Sequence, residues 1–441
     1  MIAPVQLVDL IIEARWVVPV DPAGVVLENH AVLVNDGRIT ALLPQEAAAA
    51  RFSARSYKRL DQHVLIPGLV NLHTHAAMSL LRGLADDLPL MAWLQQHIWP
   101  AEAQHVSEQF VHDGTLLACA EMLRAGITCF NDMYFFPGAA AEAALASGIR
   151  AAIGLIAVDF PSSYATDADD YLAKGIAVRD RLLDEPLLSF CLAPHAPYTV
   201  SDRSLGKVLT LAEQVELPIH VHLHETVQEI DDSLKRFGMR PIERFRRLGL
   251  LSPALIAVHA VHLDACEIEL LARHGCSVAH CPSSNLKLAS GIAPIAELFG
   301  KGINIGLGTD GAASNNRLDL LQEMRLTALL AKEKSGRADA INAHQVLYMA
   351  TLGGARALGL EANIGSISVG KAADLCAISV NDVALAPCYD PVSHLTYAVG
   401  REHVSEVWVA GRIRVENGQL VENNETGLIK LALLWQNKIR P

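Results

Sequence analysis

Residues 218–263 read PIHVHLHETVQEIDDSLKRFGMRPIERFRRLGLLSPALIAVHAVHL and hold one repeat of an alternating fold. A short apolar strand, PIHVHLH (218–224), is followed by a helical stretch over 240–248 and a second apolar strand, LIAVHAV (255–261). Two parallel strands need a crossover of this kind, because the chain must return to the starting edge before it can pair again. The same texture extends both ways. Strands are expected at GLVNLH (68–73), ITCFND (127–132), AAIGLI (151–156), LLSFCLAP (187–194), CSVAHC (276–281) and NIGLGT (304–309). Between them lie Ala-, Leu- and Glu-rich helical stretches at 106–125, 137–147, 202–215, 264–274 and 319–333. Eight strands with seven or eight crossovers over roughly 300 residues fit a closed (β/α)8 TIM barrel better than an open sheet. A helix over 344–356 closes the unit.

The flanks differ. Residues 5–66 carry short Val-, Ile- and Leu-rich segments with a hairpin signal at Asn35-Asp36-Gly37, residue types that tolerate the left-handed backbone of a tight turn. After about 365 the β texture returns, with a second such signal at Glu416-Asn417-Gly418, and the chain finishes in a helical stretch, ENNETGLIKLALLWQNKI. Neither end alone has much core, so the two are expected to form one small β-sandwich domain. The expected division is 1–66 and 365–441 for that domain and its terminal helix, and 67–364 for the barrel.

The composition excludes some partners. Of the 441 residues, 51% are hydrophobic and 19% charged, as in a packed globular protein. Lys plus Arg is 36 against Asp plus Glu 48, a formal charge of -12, and no basic run is long enough to follow a phosphate backbone. Nucleic acid is therefore a poor partner. No uncharged apolar run reaches membrane-spanning length, so no membrane role is expected. The start, MIAPVQLVDLIIEARWVV, carries Asp9 and Glu13 and lacks the positive opening of a signal peptide. The eight cysteines form no CxxC pair and sit mostly in apolar stretches, which reads as free thiols in a reducing compartment, the cytoplasm.

Polar residues recur at the C-terminal ends of the expected strands, where a barrel places its active site. His73 and His75 stand two apart in NLHTH, so an extended backbone turns both rings to one side. Taken alone, the pair reads equally well as two structural histidines. HVHLHE adds His220, His222, His224 and Glu225. One ion cannot reach along about 13 Å of strand, so one of the three histidines is expected as a ligand and the others as packing or orienting groups. Glu225 suits a proton shuttle, with a solvated ion pair as the plainer role. His195, His259, His262 and His280 follow at later strand ends, His195 reading also as a histidine supporting the metal shell. Asp310 closes a Gly-rich strand, where a carboxylate binds a metal or caps a helix. A shell of histidines and one aspartate suits zinc. Zinc generates hydroxide from water near neutral pH. Asp310 could hold that water and take its proton, Glu225 could protonate a substrate nitrogen, and His259 could hydrogen-bond the developing charge. That is hydrolysis at a C–N centre.

The segments VLIPGLVNLHTHAAMSLLRGLADDLPLMAWL (64–94), PIHVHLHETVQE (218–229), AVHAVHL (257–263), AHCPSSNLKLASG (279–291) and GLGTDGAASNNRLDLLQEM (306–324) resemble the amidohydrolase superfamily, and within it the 5'-methylthioadenosine/S-adenosylhomocysteine deaminases. The resemblance spans nearly the whole chain. It implies a barrel with one divalent metal, usually Zn2+, held by His73, His75, His222 and Asp310. Glu225 falls on the proton-transfer glutamate and His259 on the histidine beside the metal water. His195, Trp93 and Glu102 fall on substrate-lining positions, Glu102 suited to the ribose hydroxyls. No lysine lies in LLSFCLAPHAPY (187–198), which favours a mononuclear site. Relatives that accept S-adenosylhomocysteine carry arginines after the third barrel strand. Here 151–170 has none, Leu155 stands where one is expected, and Arg179 or Arg181 is the nearest substitute. The resemblance therefore implies hydrolytic deamination of 5'-methylthioadenosine, with adenosine as a second substrate, to 5'-methylthioinosine and ammonia. The alternatives are S-adenosylhomocysteine deamination, guanine or triazine hydrolysis, and a non-catalytic scaffold barrel. A homodimer or homotetramer is the expected assembly.

Overall fold

The computed structural model describes residues 5–422 and 424–440. Four strands precede the barrel: β1 (Gln6–Val17), β2 (Leu27–Asn35), β3 (Arg38–Pro44) and β4 (Phe52–Pro67). The barrel strands are β5 (Leu69–Thr74), β6 (Ile127–Tyr134), β7 (Arg150–Ala157), β8 (Leu188–Pro194), β9 (Ile219–Leu223), β10 (Leu255–His259), β11 (Ser277–His280) and β12 (Asn304–Leu307). Four more follow: β13 (Leu375–Ser379), β14 (Val404–Val409), β15 (Arg412–Glu416) and β16 (Gln419–Leu420).

Strands β5 to β12 pair in sequence order and in parallel. All eight residues of β7 and of β6 are buried, as expected of strands covered on both faces, which is why their sequences read as apolar runs. The expected helices are present at Glu108–Arg124, Pro137–Ser147, Asp202–Val215, Pro241–Leu248, Ala265–Arg273 and Leu320–Ser335. Two more, Ala168–Leu182 and Val227–Phe237, lie outside the stretches that composition singles out. Their start signals are nevertheless in the sequence: Asp167 accepts from the Asp170 amide and Thr226 from the Glu229 amide.

The seam between β12 and β5 is made largely by side chains. Asn71 Nδ2 donates to Thr309 Oγ1 at 2.8 Å, and the Thr309 amide donates back to Asn71 Oδ1 at 2.9 Å. The Asp310 amide then donates to the His73 carbonyl at 2.9 Å. Gly308 is required here, because a Cβ on it would lie 2.9 Å from the His73 Cβ. The closure that completes the barrel thus also clamps His73 beside Asp310.

The two chain ends build the second unit, whose strands hydrogen-bond in the order β16-β15-β14-β13-β4-β1-β2-β3. The central strand β4 pairs in parallel with β1 and antiparallel with β13, which splices the ends together. Both hairpin signals form as read: Asp36 and Gly37 have φ of 49° and 72°, Asn417 and Gly418 of 51° and 73°. At the barrel floor Arg150, the first residue of β7, makes a buried two-point pair with Asp374 at 2.9 and 3.3 Å, and Asp374 also accepts the Ala410 amide. The terminal helix Glu425–Ile439 docks through Trp435, whose Nε1 donates to Asp113 at 2.8 Å. All eight cysteines are free, six of them buried. Among the described residues no helix is long and apolar enough to cross a membrane.

Candidate metal centre and active site

Four of the expected site residues converge above the barrel. His73 Nε2 and His75 Nε2 each lie 3.3 Å from Asp310 Oδ1, and His222 Nε2 lies 3.2 Å from His73 Nε2. Bonds of about 2.0–2.1 Å in a tetrahedral shell place ligand atoms about 3.3–3.4 Å apart. These three spacings are those of a zinc-sized shell; the ligand atoms of His73, His75 and Asp310 lie mutually within 4.8 Å, whereas His222 joins through His73 and groups with His259. Three imidazoles with a carboxylate are a zinc donor set.

The second nitrogen of each ring is occupied, which fixes the face each ring presents. His75 Nδ1 donates to the Met133 carbonyl at 2.6 Å, and His222 Nδ1 to the His195 carbonyl at 2.6 Å. His73 Nδ1 meets His220 Nε2 at 3.0 Å beneath the centre. Burial lowers the pKa of His73 to about 4 and that of His222 well below the usual value, so both are neutral and able to ligate. Burial alone would raise the carboxyl of Asp310. The hydrogen bond from His73 and the nearby His75 and His259 outweigh it and hold Asp310 well below the usual carboxylate range. Asp310 is not a helix cap: its oxygens accept from the Gly311 amide and from Ser284 Oγ at 2.6 Å, and Gly311 occupies the cap position of the short helix Ala312–Asn315.

The three histidines of β9 separate in space. Alternation sends His220 and His222 toward His73, one below the centre and one at it. His224 lies beyond the strand end with φ of 57°, its ring turned away to the His262 carbonyl at 3.0 Å and the Ile242 amide at 3.1 Å. His262 donates to the Ser290 carbonyl, and His280 is buried deeper in the barrel with its Nδ1 unpaired. Neither lines the cavity.

Glu225 is buried beside the centre, with Oε2 3.8 Å from His259 Nε2. Burial raises its carboxyl pKa, against the opposing influence of His259. The Glu225 and His224 amides both donate to the buried Glu229 carboxylate at 2.9 Å, which fixes the turn that presents Glu225. His259 Nδ1 donates to Asn285 Oδ1 at 2.8 Å. His224, His259 and Asp310, at or just past barrel strand ends, all have positive φ, strained backbone gathered at the one rim where the polar groups meet.

His75, Trp93, Glu102, His195, His222, Glu225, His259 and Asp310 line a single cavity, and His73 is fully buried beside them. Trp93 and Glu102 come from the long excursion between β5 and the helix Glu108–Arg124. Tyr134, absent from the residues singled out by sequence, donates its hydroxyl to Glu102 Oε1 at 2.7 Å. Burial raises the Glu102 carboxyl to about 7 despite that hydrogen bond. Ser284, Asn285, Glu229 and Tyr134 are site residues that sequence reading missed. Only Glu229 has a local signal, as the fourth residue of a Thr-x-x-Glu capping pattern. Arg179 and Arg181 are turned to Asp180 and Glu142 and line neither the cavity nor its continuation.

A parallel barrel with a histidine and aspartate centre at its C-terminal rim is the architecture of the metal-dependent hydrolases, and the amidohydrolase family model matches residues 64–414. The chain belongs to the amidohydrolase family, in its 5-methylthioadenosine/S-adenosylhomocysteine deaminase branch. It is 46% identical over 432 residues to the enzyme so named from Saccharophagus degradans, covering 98% of this chain and 97% of that one. The namesake from Teredinibacter turnerae is 44% identical, covering 98% of each. A crystal structure of an adenosine deaminase from Xanthomonas campestris with bound zinc superposes with a TM-score of 0.98 at 48% identity, over 99% of this chain and 100% of that one. An atrazine chlorohydrolase from Arthrobacter aurescens shares the fold, with a TM-score of 0.89 at 23% identity over 97% of this chain and 99% of that one.

Proposed function

We propose that the protein deaminates 5'-methylthioadenosine hydrolytically, releasing ammonia and 5'-methylthioinosine, with adenosine as a second substrate. The observation that carries this reading is the convergence of His73, His75, His222 and Asp310 beside a buried Glu225, in a cavity bordered by Glu102. These four residues would hold one Zn2+, which supplies a water activated for attack near neutral pH. Asp310, ionised and steadied by Ser284, takes the proton of the attacking water and passes it to the amino nitrogen that leaves as ammonia. Glu225, whose burial favours the protonated form, delivers a proton to a purine ring nitrogen. His259, oriented by Asn285, hydrogen-bonds the attacking oxygen and the charge that develops on it. His195 and Trp93 border the base, and Glu102 accepts from the ribose hydroxyls. Leu155 packs against Gly175 of the helix Ala168–Leu182, and it is Ile156 and Val158 that line the cavity. Apolar side chains there offer a substrate carboxylate no partner, which supports methylthioadenosine over S-adenosylhomocysteine.

The buried free thiols support a cytoplasmic location, and the family resemblance supports a homodimer or homotetramer, which light scattering of the purified chain would resolve. The decisive assay follows ammonia release and loss of adenine absorbance over methylthioadenosine, adenosine, S-adenosylhomocysteine and guanine with zinc-loaded protein. Turnover of methylthioadenosine is expected to lead; methylthioadenosine left unchanged would sink the reading.

A further inference from the structure

The two halves of the metal centre are tied together at one place. His73 and His75 come from β5 and the residue after it, and Asp310 from the turn after β12, so these three meet across the barrel seam. His222 comes from β9, the fifth of the eight barrel strands, on the far side of the barrel from β5. It reaches the other ligands through His73, at 3.2 Å. Two residues earlier on the same strand stands His220, which alternation points into the same interior. His220 Nε2 lies 3.0 Å from His73 Nδ1, with the two rings edge to face and their centroids 4.9 Å apart.

We infer that His220 is a positioning residue for the metal centre: it braces His73 across the barrel and so sets the distance from His73, His75 and Asp310 to His222. This rests on the metal centre proposed above and concerns a residue that is not itself a ligand. The seam bond from the Asp310 amide holds the His73 main chain, but a main-chain bond leaves the ring free to turn about its side-chain torsions. His75 and His222 are each held by a main-chain carbonyl on Nδ1, at 2.6 Å. His73 Nδ1 has no carbonyl among the described residues; its partner is the His220 ring.

The protons argue in the same direction. With His73 Nε2 turned to a metal, the one proton of that ring sits on Nδ1 and is donated to His220 Nε2, which must be a bare acceptor. His220 then carries its own proton on Nδ1. That nitrogen is fully buried and has no partner among the described residues. An orphaned buried donor costs free energy, and an apolar side chain at 220 would fill the core without that cost. A local loss of this kind is kept where function needs it, and here Nε2 supplies the need by holding His73.

The test measures the Zn2+ dissociation constant of the full chain by competition with a chromogenic chelator, together with the denaturation midpoint of the metal-free chain. His220→Gln extends as far as Nε2 and can present an amide oxygen to His73, so it should hold Zn2+ within about threefold of the unsubstituted chain. His220→Asn carries the same amide on a shorter stem that stops short of His73. It should bind Zn2+ about 10- to 100-fold more weakly, the usual loss on removing the partner of a metal-ligating histidine. His220→Leu should show the same loss of affinity with no fall in the metal-free midpoint, because it removes the orphaned donor as well. Equal affinity in the Gln and Asn variants, whether both keep Zn2+ or both lose it, overturns the brace. So does a His220→Leu chain with unchanged affinity and a lowered midpoint, the pattern of a residue that only packs. An unsubstituted chain that binds no Zn2+ removes the metal centre and the brace with it.

Discussion

The two ends of the active-site trough are built by different means. At the inner end every proposed ligand sits on a barrel strand or one to three residues past it, and each ring is locked by a backbone carbonyl, another ring or the barrel seam. At the outer end the walls come from the excursion over residues 82–106, from the segments after β6, β7 and β8 and from the helix Val227–Phe237. The inner end is rigid because the barrel cannot close without placing His73 against Asp310. The outer end is free to vary, because nothing in the closure of the barrel depends on it. Chemistry and substrate range are thus carried by parts of the chain under different structural constraints.

The sharpest way to break this contrast is at the seam. His73→Asn keeps the backbone seam bond to Asp310 and is expected to lose the metal and reduce turnover to background, measured as metal content per chain alongside ammonia release; a variant that retains both would remove His73 from the metal shell. Glu225→Gln should keep the metal and lower kcat by about 10²–10⁴-fold, the usual worth of a general acid–base group.

At the outer end the effects should be smaller and depend on the substrate. Glu102→Gln removes a charge-assisted hydrogen bond worth about 1.5–3 kcal/mol, so kcat/KM for ribonucleosides should fall about 10- to 150-fold, while a 2',3'-dideoxynucleoside is little affected. The same carboxyl predicts a pH dependence. Below about 7 Glu102 is protonated and accepts weakly; above it the carboxylate accepts strongly. KM for ribonucleosides should therefore fall as pH rises through about 7, and KM for the dideoxy substrate should stay flat. Tyr134→Phe removes a neutral partner of that carboxyl, a loss of about 0.5–1.5 kcal/mol, or about 2- to 10-fold in kcat/KM for ribonucleosides alone. Equal losses on both substrate types would place Tyr134 in the fold rather than in ribose recognition.

The smallest effect on turnover is expected at the opposite end of the barrel. Arg150→Ala leaves Asp374 buried and unpaired and should cost about 3–5 kcal/mol of stability, seen as a lowered denaturation midpoint, with kcat unchanged while the protein is folded.

The sequence by itself determined the eight barrel strands, both hairpins, the joining of the chain ends and the chemical type of the site. These depend on local rules: a period of two in a strand, turn residues that accept positive φ, and apolar runs wherever a parallel sheet is covered on both faces. Alternation alone could not choose among His220, His222 and His224. The tertiary structure separates them because β9 ends at Leu223 and the chain turns, so His224 leaves the line while the seam brings His73 over His220 and beside His222. Tyr134 on Glu102 and Asn285 on His259 are contacts between residues 32 and 26 positions apart, and Arg236 borders a space no local pattern encodes. Strand alternation fixes where a side chain points; only the packed barrel fixes what it meets.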